Sequence, residues 1–595
     1  MSKKFIAFLT ALLLCFTLSP ATTWAADVNI DEAYYYAEAD AVITEEAVII
    51  VEEPVVVAVA LRDSEDAIRL RLLQTVVGLY PYGGTVNVTG VRTEDSAALA
   101  ALVQNVPANV TVNWGEVRAP YIAEWIEFFF RTIQPIVWGP ATWGLLLLVG
   151  LILSFKTNFM QVSLFTRYVD ETIVDMLRKN KKYGAIKGEG DITPWQAVNT
   201  AFSATMGVGT LAGTATAIAL GGPGAVFWMW VVAFFGITTK FAEVTLAVHY
   251  RSKNAKGEIL SGPFAYIEKG LGWKWLAIFF AAAGTIASFG IGNMVQANSA
   301  AGAVFHVFGW NRVLVGIVAA TLIGAVVIGG LRRIAIVMER VIPFLALTAI
   351  ISCIIIILMH IVNLPRALGY IIAGAFTGYG FVGGTVGYAV MWAIRMGLMR
   401  GIFSNEAGLG SAPMAYSAAK SEHPTKQGFW AAFEVFLDTH VMCTLVALAI
   451  LTTIPLETIQ PGFAPALTAA PLIIEAYYAA FGRFGSWLMA FLMATFGFTT
   501  VIGWTFYGEK CFEYLFGLKH IMVYRVAMLP VCVFGAAGGV ATIWAIADTL
   551  NAFMVLPNII AVVALSGVVT KLLNGYLNGE KYVSFADEEA AKSGE

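Results

Sequence analysis

The sequence is poor in charge. Only 13% of its 595 residues are Asp, Glu, Lys or Arg, about half the roughly 25% usual in soluble domains, while 58% are hydrophobic. This balance excludes a water-soluble enzyme of such length and points to a polytopic membrane protein. There is no basic excess either, since 37 Lys and Arg stand against 40 Asp and Glu for a net charge of −3. No nucleic-acid partner is expected. Cysteine is scarce: Cys15, Cys353, Cys443, Cys511 and Cys532 have no C-x-x-C or other metal-ligand spacing, which argues against disulfides or a zinc site. Leu14 before Cys15 also argues against a lipid-modified cysteine. With no nucleophile elbow, phosphate loop or metal cluster legible, neither an enzyme nor a cofactor is expected.

What is present divides into four regions. Lys3 and Lys4 precede the apolar run from Phe5 to Leu18, and Thr23-Trp24-Ala25 offers a signal-peptidase site, so residues 1–25 read as a signal peptide. Residues 26–119 read as an exported segment. Its start carries nine carboxylates from Asp27 to Glu53 and no basic residue, the pattern of a solvated tether. Strands are expected at 55–60, 85–91 and 110–114 and helices at 64–79 and 94–103, which makes a small α/β domain. Residues 120–575 form the membrane domain, and 576–595 a cytoplasmic tail.

Eleven apolar stretches in the membrane domain are long enough to cross about 30 Å of hydrocarbon. They fall near 139–158, 195–219, 223–249, 275–307, 313–331, 334–362, 371–398, 428–453, 475–507, 521–541 and 545–571. Odd parity after a signal peptide places the N-terminus outside and the C-terminus inside. The basic residues agree, with 25 in the loops that this topology makes cytoplasmic and only Arg312, Arg366 and Arg483 outside. The expected setting is an inner membrane with a periplasmic N-terminus.

Two stretches contain glycine in mid-membrane. The second reads Ser203-Ala-Thr-Met-Gly-Val-Gly-Thr-Leu-Ala-Gly213, and the seventh contains Gly378, Gly380, Gly383, Gly384 and Gly387. Interrupted helices at matching places in two five-span halves point to an inverted-repeat secondary transporter with its site at the midplane. The end of one half-helix offers carbonyls to a cation, and the start of the next offers N–H groups to a carboxylate. Such a site suits a zwitterion and an alkali cation together. It also explains why no Asp, Glu, Lys or Arg occurs between Thr193 and Lys240.

Several longer motifs carry a resemblance. Ala217-Ile-Ala-Leu-Gly-Gly-Pro-Gly-Ala-Val-Phe-Trp-Met-Trp230, Gly292-Asn-Met-Val-Gln-Ala-Asn-Ser299, Arg400-Gly-Ile-Phe-Ser-Asn-Glu-Ala-Gly-Leu-Gly-Ser-Ala-Pro413, Phe433-Glu-Val-Phe-Leu-Asp-Thr439 and Gly503-Trp-Thr-Phe-Tyr-Gly-Glu-Lys510 stand in order over roughly residues 120–575. In these the chain resembles the alanine or glycine:cation symporter family. The resemblance implies an all-α leucine-transporter-like fold, with one lead-in helix before a 5+5 inverted repeat with broken helices. It implies that the backbone of Gly207, Val208, Gly209 and Thr210 receives a substrate carboxylate, with Gln296 and Trp504 lining the pocket. It also implies a Na⁺ held by the Ser203 and Met206 carbonyls and by Thr499 and Thr500, with the Phe496 carbonyl as a further ligand. The family usually reads Gly-Thr-Gly-Asn-Ile at the break, whereas this chain reads Gly207-Val-Gly-Thr-Leu211, which bears on substrate preference and cation affinity.

Other charged residues have two readings. Asp438, deep in the eighth span with Glu434 one turn earlier, is either a second cation or proton site or part of an ion pair closing the inner gate. Lys240 and Glu243 are read as an intrahelical pair. Ser404-Asn405-Glu406 is placed in a cytoplasmic loop. Together these lead to a sodium-coupled symporter that imports a small neutral amino acid, alanine or glycine, by alternating access. Its partners are that substrate, Na⁺ and the lipid bilayer, with the oligomeric state undefined. The alternatives are a proton-coupled version of the same transport and an amino-acid sensor built on a transporter core.

Overall fold

The structure is a computed structural model. It describes the strands within residues 42–114 and, beyond them, residues 129–130, 132–134, 137–178, 188–377, 386–456, 459 and 469–593. The chain divides into two units, Met1–Phe129 and Phe130–Glu595.

In the first unit, five strands stand side by side in chain order: β1 (Val42–Thr44), β2 (Ala47–Glu52), β3 (Val55–Ala60), β4 (Gly84–Thr89) and β5 (Val110–Trp114). The first two pairings are antiparallel, and β3–β4 and β4–β5 are parallel. Parallel neighbours need a crossover between them, and the helices expected at 64–79 and 94–103 lie outside the described residues. The strands expected at 55–60 and 110–114 have those bounds, and the middle one begins and ends slightly earlier. The acidic leader differs from expectation, because Ala47–Glu52 (Ala-Val-Ile-Ile-Val-Glu) is rich enough in β-branched residues to pair as a strand.

The second unit is helical. In chain order its main elements are α1 (Pro140–Lys156), α2 (Pro194–Thr205), α3 (Thr214–Gly221), α4 (Ala225–His249), α5 (Pro263–Leu271), α6 (Lys274–Phe289), α7 (Val295–Phe308), α8 (Arg312–Val327), α9 (Gly330–Met359) and α10 (Leu364–Thr377). There follow α11 (Val386–Asn405), α12 (Pro413–Ser417), α13 (Pro424–Val435), α14 (Thr444–Thr453), α15 (Ala469–Phe481), α16 (Arg483–Phe516), α17 (Ile521–Ala537), α18 (Val540–Ala564), α19 (Ser566–Leu577) and α20 (Phe585–Ser593). Among the described residues, seven helical stretches are long and apolar enough to cross a membrane, or eight with the bent pair α2–α3 taken as one. The stretches expected first and fifth are the shorter apolar helices Pro140–Lys156 and Arg312–Val327.

Helices five spans apart in the expected order pack together. α3 lies against α11, α4 against α13, α7 against α16 and α8 against α17. Close approach is made by small residues. A Cβ on Gly316 of α8 would meet Ala536 of α17 at 2.7 Å, and one on Gly497 of α16 would meet the Gln296 carbonyl of α7 at 2.9 Å.

The seventh span is organised differently from expectation. Gly397 abuts Ala225 at the start of α4, Gly401 abuts Met229 and Val232, and Ala407 abuts Gly236. α11 therefore runs alongside α4 from its first residue to its middle, and its end at Asn405 is deep in the bundle. Gly378, Gly380, Gly383 and Gly384 lie outside the described residues, and Gly387 is within α11. The interruption that the structure describes is residues 406–412, where Glu406, Gly408 and Gly410 have φ of 59°, 96° and 73°. Two of these left-handed positions are glycine, and Pro413 starts the short α12. Ser404-Asn405-Glu406 is thus no surface loop. All three are buried. Arg400 leaves the set of loop residues too, since it is buried and paired with Asp548 at 3.2 Å.

Candidate transport site

The first break begins with a helix built to stop. Thr193 and Gln196 form reciprocal caps at 3.1 Å, Pro194 opens α2, and Met206 turns out of the helix with ψ of 72°. The amide of Gly207, which would ordinarily bond the Ser203 carbonyl, donates to Thr205 O at 2.8 Å instead. The Thr210 amide turns from the Met206 carbonyl to Gly207 O at 3.2 Å. The two carbonyls expected to face a cation, Ser203 and Met206, are therefore those whose helical donors are diverted. The chain continues as a widened π-helical turn, Gly209–Gly213, and the two halves are bent by 42°.

α16 is pressed against this break. A Cβ on Gly207 would lie 2.3 Å from Thr500 Oγ1, and one on Gly503 would lie 2.4 Å from Ser203 Oγ. Only glycine permits both approaches. Ser203, Gly207 and Thr500 thus come together as expected. The Thr499 and Thr500 hydroxyls donate back to the Phe496 carbonyl at 3.0 and 2.8 Å, so that carbonyl already has two donors, while the hydroxyl oxygens retain lone pairs.

Gln296 and Trp504 stand on α7 and α16, which pack together. Gln296 follows a second widened turn, Gly290–Met294. Its Nε2 donates to Ile291 O at 3.0 Å, while its buried Oε1 has no partner. Trp504 is buried against Gly292, where a Cβ would come within 2.4 Å. Its indole N–H donates to Glu406 Oε1 at 2.7 Å, and Glu406 Oε2 accepts the Ser411 hydroxyl. Phe403 lies against Gly209 and stacks on Trp544, with centroids 4.9 Å apart. Val208 is buried without a polar contribution from its side chain.

The two breaks are joined by carboxylates of the eighth span. Asp438, in a third widened turn, accepts Thr210 Oγ1 at 2.7 Å, Ser404 Oγ at 2.7 Å and Thr439 Oγ1 at 3.0 Å. Glu434, one turn earlier, accepts Thr205 Oγ1 at 2.7 Å and Tyr416 OH at 2.8 Å, and pairs with Lys240 Nζ at 3.0 Å. Lys240 also donates to Asn405 O at 2.7 Å, at the negative end of α11. The expected Lys240–Glu243 pair is absent, because Lys240 reaches across to the eighth span and Glu243 is occupied by Gly408 N and Asn558 Nδ2.

Of the residues that the sequence singled out, the structure brings Ser203, Gly207, Thr500, Thr210 and Asp438 together, with Trp504 next to the Gly503 that abuts Ser203, while Gln296 lies on α7 against Gly497 of α16. Sequence reasoning named Glu434 beside Asp438 but not the partner Lys240, and it missed Phe403, Ser404 and Glu406 as neighbours of that place. Gly408, Gly410 and Pro413, close together after a long apolar run, were the available signal for a second break.

Comparison with known proteins bears on what this arrangement serves. Residues 123–589 match the model of the sodium:alanine symporter family. The sodium/alanine symporter AgcS of Methanococcus maripaludis is 42% identical over 459 residues, which cover 75% of this chain and 96% of that protein. The probable sodium/glutamine symporter GlnT of Bacillus subtilis is 37% identical, with 77% and 92% covered. The putative sodium/proton-dependent alanine carrier protein YrbD of the same organism is 34% identical, with 76% and 93% covered. A helical unit with multiple apolar spans and two facing breaks, matched over nearly its whole length, is a multi-pass transporter and not an enzyme: the chain belongs to the sodium:alanine symporter family, whose members carry an amino acid together with a cation.

Proposed function

We propose that this symporter imports a small neutral amino acid, alanine or glycine, with Na⁺ across an inner membrane by alternating access. The observation that carries the reading is the meeting of two interrupted spans, with Gly207 against Thr500 and Asp438 bridging Thr210 to Ser404. The substrate carboxylate takes the amides of residues 207–210. Gln296 Oε1, buried and unpartnered, is available to its ammonium, and Trp504 and Phe403 bound a small side-chain pocket. Na⁺ takes the Ser203 and Met206 carbonyls and the Thr499 and Thr500 hydroxyls. Hard oxygen donors are what such an ion requires. Asp438 serves a second cation.

The packing of helices five apart supports eleven spans arranged as a lead-in helix and a 5+5 repeat. Moving Arg400 out of the loops, and with it Arg395, which lies within α11, leaves the basic bias in favour of an external N-terminus and internal C-terminus. Uptake by the full chain in proteoliposomes tests the function. Labelled alanine should accumulate under an inward Na⁺ gradient, while glutamine, named for one relative, should not. Accumulation driven equally well by a proton gradient without Na⁺ would favour the proton-coupled reading, and failure of alanine, glycine and serine under every gradient would overturn both.

A further inference from the structure

Outside the proposed substrate and cation positions, one buried carboxyl is only half partnered. Glu243 of α4 is fully buried. Its Oε1 accepts the Gly408 amide at 3.0 Å and Asn558 Nδ2 at 2.5 Å, while Oε2 meets no donor and no solvent. Asn558 is anchored by further bonds, from its Nδ2 to Gly408 O at 2.9 Å and from the Tyr266 hydroxyl to its Oδ1. This carboxyl is therefore clamped between α18 and the second break.

The charged groups facing it are Lys240, one turn earlier on α4, and Glu406, in the break; Tyr266 faces it through Asn558. Lys240 is committed to Glu434 and Asn405 O. An ionised carboxylate with one oxygen dry, and with its nearby cation already bonded to another carboxylate, is costly in a low-dielectric interior. A proton on Oε2 removes that cost. The groups bonded to the carboxyl are N–H donors on Oε1, which suit the carbonyl oxygen of a neutral acid. They supply none of the oxygen ligands that an alkali ion needs.

We propose that Glu243 is a proton-binding site of the transport cycle. It carries a proton on Oε2 while residues 406–412 are packed as here. It releases the proton to water, the O–H bond breaking to leave a carboxylate, when movement of this break withdraws Gly408 and admits solvent. The proposal rests on the transport reading above, because that reading supplies the movement.

The test uses the full chain in proteoliposomes with Na⁺ equal on both sides, labelled alanine and an internal pH dye. Wild-type uptake should move protons and vary with pH. Glu243→Gln, which has the shape of the neutral acid, should keep alanine exchange but lose proton movement and show a flat pH profile. Glu243→Asp should retain proton movement. A Glu243→Gln profile and proton flux equal to wild type would overturn the proposal. An infrared measurement is independent of transport. The band of a protonated carboxyl should be present in the wild type and absent in Glu243→Gln, and its absence from the wild type would equally overturn the proposal. If alanine is neither exchanged nor bound while this band is found, the transport reading fails and with it the site's part in a transport cycle, although Glu243 still holds a proton.

Discussion

The two breaks, linked through Asp438, are built by opposite means. The first interrupts its span with Met206, Gly207 and Val208, so its polar groups are backbone carbonyls and amides diverted from their helical partners. The second, at 406–412, is held by side chains: Asn405 on Thr439, Glu406 on Trp504 and Ser411, and Gly408 on Glu243 and Asn558. Backbone ends suit a ligand that must enter and leave, because they carry partial charge without a permanent ion. A side-chain knot suits the wall that shapes them. Asp438 and Glu434 then brace the two breaks against each other. Glu434 holds the halves that end at Thr205 and contain Tyr416, whereas Asp438 holds the halves that contain Thr210 and Ser404.

If the first break works through its backbone, adding one methyl should do the most harm. Gly207→Ala places a Cβ 2.3 Å from Thr500 Oγ1, and a displacement of about 1 Å at a reacting or binding centre is worth about 100-fold. Alanine uptake should fall by at least that factor. Gly209→Ala should do less, because its Cβ would meet the edge of the Phe403 ring at 3.0 Å, and a ring can tilt. Equal losses would remove the special role given to Gly207.

The brace is tested by charge. Glu434→Gln leaves Lys240 buried without its partner, a defect of about 3–5 kcal/mol, so thermal stability in detergent should drop sharply. The double variant Lys240→Met/Glu434→Gln should recover most of it; no recovery would mean that the pair is not the source of the loss. Asp438→Asn keeps the shape but removes the charged acceptor of three hydroxyls, bonds worth roughly 1.5–3 kcal/mol each to an ion. It should raise the Na⁺ concentration for half-maximal uptake about tenfold or more, and an unchanged Na⁺ curve would make Asp438 structural only.

Smaller effects belong to the rim. Trp504→Phe keeps the ring but loses its N–H bond to Glu406, so substrate KM should rise about tenfold for roughly 1.4 kcal/mol with little change in stability. At the loop before α13, His423 Nδ1 caps the helix by accepting the Thr425 amide at 3.2 Å, and burial pushes its pKa down from 6.5 to about 4. The neutral form is therefore favoured by folding. Its contribution is complete above pH 6.5 and is lost as pH falls towards 4. Melting temperature should decline over that window, and less so in His423→Asn, which retains a capping oxygen.

Much of this was legible one residue at a time. The glycines at 207 and 209 announced the first break because no other residue is so often placed where a backbone must approach another closely. The acids at 434 and 438 announced themselves by their position in an apolar run. The second break was harder to read, since Ser404-Asn405-Glu406 is as polar as an ordinary loop and lies beside basic residues that mimic a cytoplasmic edge. Only the contact of Gly397 with Ala225 and of Ala407 with Gly236 shows that α11 ends inside the bundle.

The sequence by itself determined the solvent of this protein, the family to which its motifs point and the break at Met206–Val208. These follow from composition, periodicity and glycine, which act locally along the chain. Tertiary structure decided the rest: which carboxylates hold which halves, that Lys240 serves Glu434 instead of Glu243, and that one oxygen of Glu243 stands alone. Those outcomes depend on a few ångströms between helices far apart in sequence. In a low-dielectric interior that separation determines whether a buried charge is matched.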